Sequence, residues 1–109
     1  MKRNRKETVD ATDLIHKLEF AQKCADVGRD FNSVETIGSA IQQIKDCYDW
    51  DHTVKNPYID TIGIRQDRAL IKCDVWAKMA VIDFAHKTGI WIPKVCSSFK
   101  YIRYFNGCN

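Results

Sequence analysis

Apolar residues along this 109-residue chain recur at helical spacing, not with the alternation of half-buried strands. Leu14, Leu18, Ala21 and Ala25 fall on one face of a helix predicted from about Asp10 to Val27, flanked by Ala11 and Cys24. Gly28 is the expected C-terminal stop, because glycine accepts the left-handed conformation in which many helices end. A second helix is predicted from Asn32, whose side chain would cap it while Glu35 reaches back as in a capping box. Val34, Ile37, Ile41, Ile44 and Tyr48 then form one stripe, with Glu35, Ser39, Gln42, Gln43, Asp46 and Asp49 largely opposite. Gly38 lies inside this helix at a cost of about 1 kcal/mol relative to Ala, which points to a close contact there.

The helical period lapses over residues 50–66, where Pro57 and Gly63 predict a structured connection with a short extended piece from Tyr58 to Ile64. It resumes in the longest helix, Asp67 to about Thr88. Steps of about 100° per residue put Leu70, Cys73, Ala77, Ala80, Val81 and Phe84 on one face. Ile71, Val75, Met79 and Ile82 fall on a separate face, with His86 at its edge. Two apolar stripes need two partners. Either this helix is central and covered on both sides by its own chain, or the second stripe is a subunit or target interface.

After Gly89 the run "IWIPKV" reads as extended and irregular, and Ser97 or Ser98 would cap a short final helix through Phe105. Phe99, Ile102 and Phe105 would share a side able to cover the second stripe of the third helix, leaving Lys100, Tyr101, Arg103 and Tyr104 toward the rim. The expected fold class is therefore all-α: three main helices and a short C-terminal helix or extended segment. Residues 1–9 read as a basic flexible arm and 10–109 as a single helical domain.

Charge refines this picture more than composition does. The net charge of +3 comes from two basic ends: residues 1–6 hold Lys2, Arg3, Arg5 and Lys6, residues 89–109 hold Lys94, Lys100 and Arg103, and neither stretch has an acid. Residues 7–88 hold the remaining 10 bases against all 14 acids. A basic patch beside an acidic body suits an oriented partner better than uniform polyanion binding. No apolar run approaches the roughly 18 residues a membrane span needs, and the basic opening is followed by polar residues where a signal peptide needs an apolar core, so the cytosol is the expected location. The five cysteines, 24, 47, 73, 96 and 108, are odd in number and match no zinc-ligand spacing, so they read as reduced thiols.

Four constellations carry candidate chemistry. Cys24, Gly28, Val34 and Ile37 have the spacing of a helix-turn-helix, but the would-be recognition helix sets Glu35, Asp46 and Asp49 against Lys45 alone, which is unfavourable beside phosphates. Asp46, Asp49, Asp51 and His52 cluster closely enough in sequence to share a divalent ion, but no companion motif completes the shell, so no metal or cofactor is expected. His16, His52 and His86 are general-base candidates for a cysteine or serine nucleophile, but no nucleophile elbow or phosphate loop accompanies them. The arm, together with Lys94, Lys100, Arg103 and the nearby aromatics, has the composition of a surface that stacks single strands.

The reading these residues favour is a non-enzymatic interaction protein, a regulator or inhibitor of the kind small phage and mobile-element proteins supply. It would bind a protein partner or a second copy through Ile71, Val75, Met79, Ile82, His86, Tyr101, Arg103 and Tyr104. The rival reading is a DNA- or RNA-binding regulator using Lys2, Arg3, Arg5, Lys6, Lys94, Lys100 and Arg103.

Overall fold

The structure is a computed structural model, and it describes residues 10–59 and 63–89. The expected arm, the C-terminal helix and the segment 60–62 lie outside the described residues. Three helices make up the fold: α1 (Thr12–Val27), α2 (Phe31–Cys47) and α3 (Ala69–Thr88), the last preceded by a 3-10 turn at Gln66–Arg68. The chain is a small all-α fold, with no strand among the described residues.

α1 is the central helix. It packs against both α2 and α3 and buries a broad arc: Leu14, Ile15, His16, Leu18, Phe20, Ala21, Cys24 and Ala25. Ile15 and Phe20 lie off the narrow stripe read from the sequence, one on each flank, and widen the buried arc of α1. α3 was the helix with two apolar stripes, and among the described residues one side of it is fully covered: Cys73, Ala77, Ala80, Val81 and Phe84 are buried. The small residues of α1 and α3 allow a close approach of the two helices, and the larger rings fill the ends, Tyr48 meeting Phe84 edge-on at 5.2 Å. Each fully buried Leu, Ile or Phe in this cluster contributes roughly 1.5–3 kcal/mol of transfer free energy.

The α1–α2 turn departs from the sequence reading at two points. The left-handed residue is Arg29, at φ 63°, whereas Gly28 has φ −82°. Glycine is needed at 28 for space: a Cβ there would overlap the Leu70 side chain of α3. The cap of α2 is Asp30, not Asn32; its carboxylate accepts from the Ser33 amide at 3.2 Å and from the Ser33 hydroxyl at 2.8 Å. The helix therefore starts two residues earlier than Glu35 suggested, since the Asp30–Ser33 pair satisfies an amide of the first turn. At the far end, Gly89 with φ 77° terminates α3, its amide donating to the Ala85 carbonyl at 2.7 Å.

The connection after α2 is a strap laid back across α1. Asp10 and Asp49 form an isolated parallel bridge, the Ala11 amide donates to the Asp49 carbonyl at 2.9 Å, and the Asp51 amide donates to Thr12 Oγ1 at 2.7 Å. Further on, Asn56 donates to the His16 carbonyl at 2.9 Å and to Glu19 at 3.0 Å. Tyr58 and Ile59 occupy a turn, in place of the extended piece expected from Tyr58 to Ile64. The Tyr58 ring packs 4.9 Å from Trp76 of α3, and Trp76 meets Phe20 at 4.9 Å, so the strap joins α1 and α3 through a stack of three aromatics.

Candidate functional site

Ile71, Val75 and Met79 stand one helical turn apart on α3 and are 55%, 37% and 44% exposed. Their opposite face is closed against α1. Ile82 is half-buried on the same line and His86 is exposed at its end. Isolated exposed hydrophobics are ordinary, but three large ones in register on one helix form a continuous apolar strip. Phe31 and Val54, also exposed, lie on other elements and do not extend it in sequence register.

Between the buried face and the strip, α3 carries Asp74 and Lys78, which are 2% and 1% exposed. They lie four residues apart, the spacing at which helical side chains are neighbours. Burial pushes the Lys78 ammonium down from its usual range while the Asp74 carboxylate opposes that shift. Among the described residues no buried side-chain nitrogen or oxygen lacks a hydrogen-bond partner. The strip is therefore bordered on one side by two buried charged side chains. Along its other margin run Lys72 and Asp83, which the sequence reading left out of the site; the same helical steps that defined the stripe would have placed them there.

Asp83 also ties α3 to α1. Lys17 reaches Asp13 at 3.0 Å and Asp83 at 3.9 Å, and Lys87 reaches Asp83 at 3.2 Å. The Tyr58 hydroxyl donates to Asp13 at 2.6 Å. Partial burial pushes the Asp13 carboxyl up, but the hydrogen bonds from Tyr58 and Lys17 and the charges of Lys17 and Lys87 outweigh it and hold the group below its ordinary value. The Asp13 carboxylate, with burial, raises the Tyr58 phenol to about 12.

The other candidate groups are engaged locally. Asp46 accepts from Gln42 at 3.0 Å, and Asp51 accepts from the Thr53 amide and hydroxyl at 2.9 and 2.6 Å. His52 meets the edge of Trp50 at 5.7 Å, and Lys45 sits 4.6 Å over the Trp50 ring. No group of three or more His, Cys, Asp or Glu placed to hold a metal ion occurs among the described residues. Burial raises the thiols of Cys24 and Cys73 to about 11 and 12, so neither is a thiolate nucleophile at neutral pH. An open groove of about 530 Å³ lies between α1, the start of α2 and the strap, lined by Glu19, Gln22, Lys23, Asp26, Val34 and Ile59. Glu19 and Gln22 are committed to Asn56 and to the Val34 carbonyl, so the groove offers few convergent polar groups.

The helix-turn-helix spacing is realised as a helical hairpin in which Ile37 is buried while Glu35 and Asp46 face solvent. Of the partner-binding residues read from sequence, Ile71, Val75, Met79, Ile82 and His86 share one side of α3, and Tyr101, Arg103 and Tyr104 lie outside the described residues. So do Lys2, Arg3, Arg5, Lys6, Lys94, Lys100 and Arg103 of the nucleic-acid reading. No helix among the described residues is long and apolar enough to cross a membrane. No family model matches the chain, and comparison with curated proteins and with solved structures finds no match.

Proposed function

We propose that the chain is a non-enzymatic protein-interaction module, a regulator or inhibitor, that docks an apolar protein surface on the exposed strip of α3. The supporting observation is the exposure of Ile71, Val75 and Met79 in register on a helix whose opposite face is fully buried. Completing the burial of half-exposed side chains of this size is worth roughly 1 kcal/mol each. Such a gain supports reversible docking, and charged groups along the margin give it orientation.

Ile71→Glu and Met79→Glu place an ion in that contact at positions where the monomer has water to solvate it. Both variants are expected to keep the thermal stability of the parent and to lose the same partner in affinity capture from the source cell, with nuclease-treated extract as the control. Capture unchanged by either substitution overturns the reading. Capture abolished by nuclease instead moves the function to nucleic-acid binding.

A further inference from the structure

Two contacts fix the register of α1 against α3. Gly28 packs on Leu70, and Phe20 meets Trp76 with ring centroids 4.9 Å apart. α1 runs forward from 20 to 28 as α3 runs back from 76 to 70, so the two helices are antiparallel. Cys24 lies midway between Phe20 and Gly28, and four-residue steps keep all three on one side of α1. Cys73 lies midway between Leu70 and Trp76 on α3. The two cysteines therefore stand across from each other in the seam. They are 0% and 4% exposed, and Cys24 is among the groups that raise the Cys73 thiol. Small side chains are buried on the same two helices, Ala21 and Ala25 on α1 and Ala77 and Ala80 on α3. Helix axes as close as about 8 Å bring facing residues within the roughly 4.4–6.8 Å between Cα atoms that a disulfide spans.

We infer that Cys24 and Cys73 are a redox-modification site, a pair of facing thiols that a hydroperoxide converts to a disulfide joining α1 to α3. One sulfur, as thiolate, attacks the peroxide: an S–O bond forms, the O–O bond breaks, and a sulfenic acid and water result. The second sulfur then displaces hydroxide from the first, and the hydroxide takes the second thiol's proton and leaves as water. Two thiols give up two electrons and two protons, and one hydrogen peroxide is reduced to two waters. Burial raises the two thiols to about 11 and about 12, so the first step is slow and the pair stays reduced until the oxidant is sustained. The facing thiol captures the sulfenic acid before it oxidises further. The disulfide closes a loop of about fifty residues and fastens to α1 the helix that carries the exposed strip. Neither cysteine lies on that strip, so the pair is independent of the docking role.

The full chain, reduced and dilute, is treated with hydrogen peroxide, alkylated in denaturant and digested without reductant. The expected product is a chain lighter by two hydrogens whose peptide map joins Cys24 to Cys73 in preference to every other pairing of the five cysteines. Its urea midpoint should rise, and dithiothreitol should return it to the starting value. The same oxidation in concentrated urea should spread the links over several pairs, because the register that sets these two thiols face to face is then lost. A Cys24–Cys73 link that forms only in urea, a dominant disulfide through another cysteine, or sulfinic acid at both positions in place of the disulfide overturns the inference. So does a chain still fully reduced after exhaustive oxidation. A linked chain whose urea midpoint falls overturns it too, since facing thiols close without distorting the seam.

Discussion

Leu70 of α3 occupies the space that a side chain at position 28 would fill, so the absence of a Cβ at Gly28 is what lets the third helix close over the turn between the first two. The backbone strain of that turn sits one residue later, at Arg29.

The two positions should respond in opposite directions. Gly28→Ala forces Leu70 to another rotamer and is expected to cost about 1–2 kcal/mol by overpacking. Arg29→Gly removes a left-handed arginine worth about 1–2 kcal/mol of strain, less the greater freedom of glycine in the unfolded chain, for a net gain of about 0.5–1 kcal/mol. Urea unfolding of both variants checks the signs; a stabilising Gly28→Ala would show that the contact with Leu70 is slack.

Gln22 of α1 donates to the Val34 carbonyl at 3.0 Å, and its amide nitrogen lies 2.8 Å from where a Cβ at Gly38 would stand. Gly38→Ala alone should therefore gain little from helix propensity. In a Gln22→Ala background it is expected to stabilise by about 1 kcal/mol, the full propensity difference. A double-mutant cycle by thermal unfolding should give a coupling of at least about 0.5 kcal/mol, and additivity would sever the link between the two residues.

The Tyr58–Asp13 bond predicts a bounded pH window. Asp13 is depressed, so its contribution is present above the unfolded carboxyl value near 4 and is lost as pH falls through the folded one. Tyr58 is raised to about 12, so its contribution is intact below the unfolded value near 10 and is lost as pH rises through about 12. Tyr58→Phe should cost about 0.5–1 kcal/mol between those limits, and the difference from the parent should shrink outside them. A deficit that is the same at pH 3 and pH 7 would assign the loss to packing against Trp76.

Cys24 and Cys73 are buried with raised thiols, while Cys47 is only partly covered. Alkylation of the native protein at pH 8, followed by peptide mapping, should label Cys47 well before Cys24 or Cys73, whose labelling waits on opening of the α1–α3 contact. Equal rates at all three would mean that this contact opens readily.

The periodicity of apolar residues determined three helices, the turn near Gly28, the inward stripe of the second helix and both stripes of the third, because the helical repeat fixes which side chains share a face regardless of what lies opposite. It also made Ile71, Val75, Met79, Ile82 and His86 legible as one row. Which helix is central was decided only by the tertiary structure: two apolar stripes on α3 look like a central helix in one dimension, yet α1 is the helix that packs on both others, with Phe20 meeting Trp76 of α3. The same holds for the cap and the strained residue. Asn32 with Glu35 is a sound local signal, but Asp30 reaches Ser33, Leu70, distant in sequence, claims the space at Gly28, and the left-handed residue is Arg29. The strap was illegible because Asn56 and Tyr58 act on His16, Asp13 and Trp76, and no local pattern records hydrogen bonds and ring contacts between residues so far apart along the chain.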